Sequence, residues 1–178
     1  MTIYPYNGKT PLISEEAFIA TGVIITGDVT IHENTSIWFN TVIRGDVAPT
    51  IIEKNVNVQD NSTLHQSPNI PLHLKEGVTV GHQCTLHSCL IHRHALIGMG
   101  SLILDGAEIG EEAFIGAGSL VPPGKKIPPR TLALGHPAKV IRELTDDDFR
   151  EMKRIREDYM AKAAYYKRFE EKQRNTKK

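Results

Sequence analysis

Three histidines, His65, His82 and His87, lie in the stretch from Asn57 to Cys89, which reads NVQDNSTLHQ, breaks, and resumes as VTVGHQCTLHSC. His65 and His87 directly follow a leucine, and His82 follows Val80 by two residues. Half-buried strands favour Val, Ile and Thr, so histidine there is unusual, and neutral imidazole is a common zinc ligand. These residue types point to one divalent metal bound by all three. Asn57, Gln59, Asp60 and Arg44 supply a polar set nearby. A single strand histidine is more often a surface or hydrogen-bonded residue, and His32, His73, His92, His94 and His136 are read that way.

A repeat sets the positions of these residues. From Ile19 an aliphatic residue recurs at steps of six, at Ile25, Ile31, Ile37 and Ile43. The series is offset at 46–50, resumes at Ile52, Val58 and Leu64, is offset again at 66–73, and resumes at Leu74, Val80 and Leu86. After one missing residue it continues through Ile91, Ile97, Ile103, Ile109, Ile115, Val121 and Ile127. Four residues after most of these stands something small or β-branched, among them Val23, Thr41, Ser62, Cys84, Ser101 and Ser119. Six is not a helical period, which needs apolar positions near 3.6 spacing. It fits short strands joined by corners and stacked on their equivalents, burying the aliphatic column so that each coil touches only its neighbours. Gly81, Gly98, Gly110 and Gly116, each following an aliphatic residue, suit tight corners. The sequence thus predicts a mainly β protein, a parallel β-helix of hexapeptide repeats, with Cys84 an interior filler rather than a reactive thiol.

The chain here resembles the hexapeptide-repeat proteins, whose fold is a left-handed parallel β-helix with three hexads to each triangular coil. That resemblance alone implies the left hand and the three sides; the general preference for right-handed crossovers would point the other way. On three-hexad coils, His65 and His87, 22 positions apart, are separated by one coil plus the four-residue offset. They should stack on one edge of adjacent coils, about 4.8 Å apart at the backbone, close enough to share a metal with bonds of about 2.0–2.1 Å. Arg44 falls in the same column one coil earlier. His82 stands outside that column, with Asp60 as its own column partner. Extended chain from His82 to His87 spans up to roughly 16 Å. If all three bind one metal, His82 must come from another chain, as a cyclic trimer would provide.

A narrower resemblance rests on IRGD at 43–46, NVQDNSTLH at 57–65 and VGHQCTLHSC at 80–89. These segments are similar to the gamma-class carbonic anhydrases, and the similarity covers most of the chain. It implies a homotrimer with Zn2+, or in some members Fe2+ or Co2+, at each subunit interface, hydrating CO2 reversibly to bicarbonate. Residue by residue, it implies that His65, His82 and His87 are the ligands and that Gln59 and Asn57 orient the reactive hydroxide and CO2. It also implies an Arg44–Asp60 ion pair across the interface, with Arg44 able to hold bicarbonate. One branch of that family carries acidic residues beside the site for proton export. Here Val47 and Ala48 follow Asp46, and the second insertion, QSPNIPLH, has no carboxylate. Slow proton export is expected, because regenerating hydroxide needs a carrier of suitable pKa. The rival functions are a hexapeptide-repeat acyltransferase or thioesterase, and a non-catalytic trimeric scaffold; retention of all three histidines favours the metal.

The 21 basic and 21 acidic residues cancel, which gives no support for nucleic-acid or anionic-membrane binding. The opening MTIYPYNGKT has no basic region followed by an apolar run, and no apolar stretch approaches the roughly 18 residues needed to span a bilayer. Two cysteines are too few for a disulfide framework, and a soluble cytoplasmic protein is expected. Residues 1–16 read as an irregular lead-in, and the proline-rich 125–137 should leave the repeat. The predicted organisation is a β-helix domain over 1–140 and a C-terminal α-helix packed on it over 141–178, frayed from 174. Thr145 is the expected N-cap, with Asp146, Asp147 and Asp148 in the first turn. Phe149, Met152, Ile155, Tyr159, Ala163 and Tyr166 form one apolar stripe on a helix of about 25 residues.

Overall fold

In the computed structural model, which describes residues 1–176, the aliphatic residues of the repeat point inward from short strands, mostly of two or three residues. Every one from Ile25 to Ile127 is buried; only Ile19, in the first coil, is partly open. Strands pair in parallel with the equivalent strand one coil away, which makes three faces. The first face carries Thr63–His65, Thr85–His87, Leu102–Ile103 and Leu120–Val121, and the second Leu72–Leu74, Leu90–Ile91, Glu108–Ile109 and Lys126–Ile127. Two longer strands, Ile24–Ile31 and Val42–Ile52, turn the corner between these faces and join them into one sheet. The third face stacks seven parallel strands from Phe18–Ile19 to Thr131–Gly135. This is the parallel β-helix that the hexads predict.

The small residue four places on is buried at each position that the pattern names. Its polar atom has a use there, because interior hydroxyls answer corner carbonyls that the ladder leaves free. Thr41 Oγ1 donates to the Gln59 carbonyl at 3.1 Å, Ser62 Oγ to Gly81 at 3.2 Å, and Cys84 Sγ to Gly98 at 3.2 Å. Cys84 is therefore the filler expected, and burial pushes its thiol up to about 11. The glycines after the aliphatic residues are needed for a different reason than corner geometry. A Cβ on Gly98 would stand 2.5 Å from Ala117 N, and one on Gly110 2.4 Å from Pro129 N. Left-handed corners are instead taken by Asn34, Asn40, Asn55 and Asn61 in the early coils, a residue type that tolerates positive φ, and by Gly100, Gly106, Gly118 and Gly124 in the later ones.

Two boundaries differ from expectation. The proline-rich segment does not end the repeat: Thr131–Gly135 still pairs in parallel with Phe114–Ile115, with Ala133 buried in the next hexad position. Ala138–Glu143 then folds back antiparallel on it. Helix α1 runs Asp146–Thr176, 31 residues rather than about 25. Residues 174–176, expected to fray, are helical, and 177–178 lie outside the described residues. A capping box starts the helix: Asp148 N donates to Thr145 Oγ1 at 3.3 Å and Thr145 N to Asp148 Oδ2 at 2.7 Å, so two otherwise orphaned amides are satisfied. The apolar stripe lies over the opening coils of the third face. Ala163 is buried there, Tyr166 packs on Phe18, Trp38 and Phe39, and Tyr159 meets Trp38 edge-on at 5.3 Å; Met152, nearer the start of the helix, is buried as well. No helix among the described residues is long and apolar enough to cross a membrane.

Candidate metal centre

Leu64 and Leu86 are fully buried and face each other in adjacent coils, so the residues after them, His65 and His87, are aligned on the outside of the first face. Their ring centroids are 5.2 Å apart, and His65 Nδ1 lies 3.1 Å from His87 Nε2. Arg44, in the same column one coil earlier, brings a terminal nitrogen to 3.0 Å of His65 Nε2. Asp46 completes this side, with Oδ1 3.0 Å from His65 Nε2 and Oδ2 3.1 Å from Arg44 Nε. Burial works to raise the Asp46 carboxyl, but hydrogen bonds from His65 and Arg44 outweigh it and hold the group below the usual carboxylate range. On the far side His87 Nδ1 is 2.5 Å from Asp105 Oδ1, and Ser67 Oγ donates to Asp105 Oδ2 at 2.5 Å. The bonds from Ser67 and His87 depress the Asp105 carboxyl as well.

His82 stands on another edge, where the third face passes into the first. Its Nδ1 is 2.7 Å from Asp60 Oδ2, the column partner one coil earlier, and its Nε2 is 3.2 Å from the Tyr159 hydroxyl of α1. Asn57 and Gln59, at 2% and 4% exposure, are tied together beside it. Gln59 Nε2 donates to Asn57 Oδ1 at 3.2 Å, and Asn57 Nδ2 to Thr79 Oγ1 at 2.9 Å. The chain thus carries two half-sites. One holds His65, His87 and Arg44; the other holds His82, Asp60, Gln59 and Asn57. Among the described residues no three His, Cys, Asp or Glu side chains are placed to hold a metal together. Within one chain Arg44 is paired with Asp46 and Asp60 with His82.

The donor chemistry of the first half-site fits a divalent cation. A carboxylate at His87 Nδ1 makes that nitrogen the proton carrier and leaves Nε2 with its lone pair. Sequence reading missed Asp105, Ser67 and Tyr159. Asp105 lies 18 residues beyond His87, but the register there is 17, pairing Leu86 with Ile103, so column counting gives Leu104 and passes Asp105 by. Tyr159 was read only as part of the helical stripe, and nothing in the repeat says where the helix lies. His73, the remaining histidine of the second insertion, belongs to the strand Leu72–Leu74 and turns to Glu53, 2.9 Å away, on the second face. Burial lowers its pKa.

Residues 88–123 match the family described as Bacterial transferase hexapeptide (six repeats). A Geobacillus kaustophilus protein named carbonic anhydrase is 70% identical over 165 residues, covering 93% of this chain and 91% of the relative. A Bacillus subtilis protein named uncharacterized transferase YtoA is 62% identical, covering 93% of this chain and 96% of its own. A Bacillus cereus crystal structure assigned to the acetyltransferases superposes with a TM-score of 0.93 at 67% identity, covering 94% of this chain and 98% of that one.

Proposed function

This chain belongs to the gamma carbonic anhydrase-like family of hexapeptide-repeat proteins, and from that premise we propose that it hydrates CO2 reversibly to bicarbonate at a metal shared between chains of a homotrimer. The observation that carries this is the stacking of His65 on His87, ring nitrogens 3.1 Å apart, with carboxylates behind both rings. His65 and His87 would bind the metal from one chain and the partner's His82 from the next. Zn2+, with Fe2+ or Co2+ as alternatives, would supply there a Lewis-acidic centre that brings the pKa of bound water toward neutrality, an effect for which carbonic anhydrases are themselves the reference case.

The chain's own residues do the rest. Three neutral imidazoles leave the positive charge of the site uncompensated, which favours an anionic nucleophile. The Gln59–Asn57–Thr79 chain of hydrogen bonds holds both amides in one orientation, so Gln59 can aim the attacking oxygen at a small linear substrate without reorganising. Arg44, held by Asp46, presents a planar donor fork that suits bicarbonate. A second function has one observation in its favour. The His87–Asp105 pair resembles a general base with its orienting carboxylate, as acyl transfer would need, and relatives carry transferase names. Metal analysis of the purified protein together with stopped-flow CO2 hydration decides between them. Stoichiometric metal with hydration activity is the expected result. A metal-free protein that consumes acetyl-coenzyme A and leaves CO2 untouched would refute the proposal.

A further inference from the structure

We propose that Asp105 is a positioning residue of the metal centre, holding His87 in the Nδ1–H tautomer with Nε2 free to ligate, and that Ser67 in the 66–71 insertion locks that carboxylate in place. This role presupposes the metal assigned above to His65 and His87. A ligating imidazole must offer a bare nitrogen, and the bond at its other nitrogen decides which one that is. Here Asp105 Oδ1 lies 2.5 Å from His87 Nδ1 while His87 Nε2 faces His65.

The carboxylate itself is fixed from the insertion. Ser67 Oγ donates to Asp105 Oδ2 at 2.5 Å, Ser67 N donates to Ser88 Oγ at 2.6 Å, and Ser88 Oγ donates to the Ile70 carbonyl at 3.0 Å. Ser88 follows His87 directly, and its amide bonds the His65 carbonyl at 3.0 Å. The bonds therefore form a closed ring through His87, Asp105, Ser67 and Ser88. Gln66 anchors the insertion from inside, fully buried and bonded through Nε2 to Thr50 Oγ1. The four-residue offset that interrupts the hexads is what brings Ser67 over Asp105. In an uninterrupted repeat the chain after His65 would pass straight into the second face.

The test compares the full-length wild-type chain with Asp105→Ala, Asp105→Asn and Ser67→Ala. Zn2+ affinity is measured by competition with a chromogenic chelator, and the visible spectrum of the Co2+-loaded protein is recorded. Asp105→Ala should lower Zn2+ affinity by about 10–100-fold, the usual effect of losing an outer partner of a ligand, and should alter the cobalt bands. Asparagine can still accept the Nδ1 proton, so Asp105→Asn should recover most of that loss. Ser67→Ala should fall between them, and all four metal-free proteins should unfold at similar temperatures. If wild type binds Zn2+ and Asp105→Ala binds it equally well, the positioning role fails while the metal assignment stands. If Asp105→Asn is as weak as Asp105→Ala, the tautomer account is overturned. If wild type binds neither Zn2+ nor Co2+, the metal assignment and the positioning role fall together.

Discussion

Replacing His82 with alanine should empty every metal site, although both stacked histidines remain in place. Catalytic zinc sites keep three protein ligands, and His82 sits in the half-site of Asp60 and Tyr159 rather than with His65 and His87. Losing a direct ligand should cost more than the roughly 10–100-fold typical of an outer partner. The stronger version of the experiment mixes two defective chains. In a cyclic trimer each site takes His65 and His87 from one chain and the partner's His82 from the next. A His82→Ala chain can still give the pair, and a His87→Ala chain can still give the third ligand. Random equimolar mixing puts the right donor on each side of an interface half the time, so about one quarter of all sites should be whole, one of the three in every mixed trimer, against none in either parent. Differently tagged variants would be co-refolded, mixed trimers isolated by tandem affinity, and metal counted by mass spectrometry beside CO2 hydration. Two results refute the reasoning: a full metal complement in His82→Ala alone, or verified mixed trimers as empty as their parents.

Arg44→Ala should weaken the assembly more than the fold. Losing its guanidinium leaves Asp46 and His65 without their cation on a face proposed to be an interface. A loss of roughly 2–5 kcal/mol of association energy is expected when one member of a buried charge pair is removed. Sedimentation at dilution should show dissociation while the far-ultraviolet spectrum keeps its β character, and an unchanged trimer would place Arg44 off the interface. Proton export should depend on buffer, because Val47 and Ala48 rather than acidic residues follow Asp46 and the second insertion carries no carboxylate. External imidazole should raise the maximal hydration rate, isotope exchange between CO2 and bicarbonate should stay comparatively fast, and His73→Ala should change neither, since His73 is bound to Glu53 on the second face. Fast hydration in weak buffer would contradict this. The helix cap should give a pH signature. Arg142, the Thr145 amide and the Thr145 hydroxyl hold the Asp148 carboxyl far below its ordinary value. A depressed folded pKa contributes stability fully above the unfolded value, about 3.9, and loses it as pH falls through the lower folded value. Helix content followed by circular dichroism should therefore hold steady from neutral pH to about 5 and decline below about 4. Thr145→Ala should cost about 0.5–2 kcal/mol at neutral pH; no change in the urea midpoint would show that the cap is idle.

The interior of this protein was legible residue by residue, because alternation along a strand makes position alone decide which side chains face inward. Leu64 and Leu86 sit where counting by six puts them, and the stacking of His65 on His87 follows one bond later. The same counting paired His82 with Asp60 correctly. It failed where stacking distance rather than side-chain direction was at stake. Gly98 and Gly110 suit tight corners by their spacing, but they are small because backbone of the next coil occupies the space where a Cβ would go.

What the tertiary structure alone decided was which groups outside the columns fix the polar residues. Counting already set Arg44 with His65 and His87 and Asp60 with His82, but only the fold ties Gln59 to Asn57 and Asn57 to Thr79, and His87 to Asp105 and Ser67. A hexad count records the distance along the chain but not the direction in which each corner sends a side chain. The partner of α1 was equally unreadable. An apolar stripe requires a surface to cover it but does not say which. The choice fell to Phe18, Trp38 and Phe39, brought onto one face from two successive coils, and their docking of Tyr166 and Tyr159 is what delivers a phenol to His82. Sequence periodicity could determine the inside of this helix because burial there repeats with every coil. The outer partners of the histidines were left to the fold because they meet at the two places where the repeat is interrupted or covered, the 66–71 insertion and the α1 docking face.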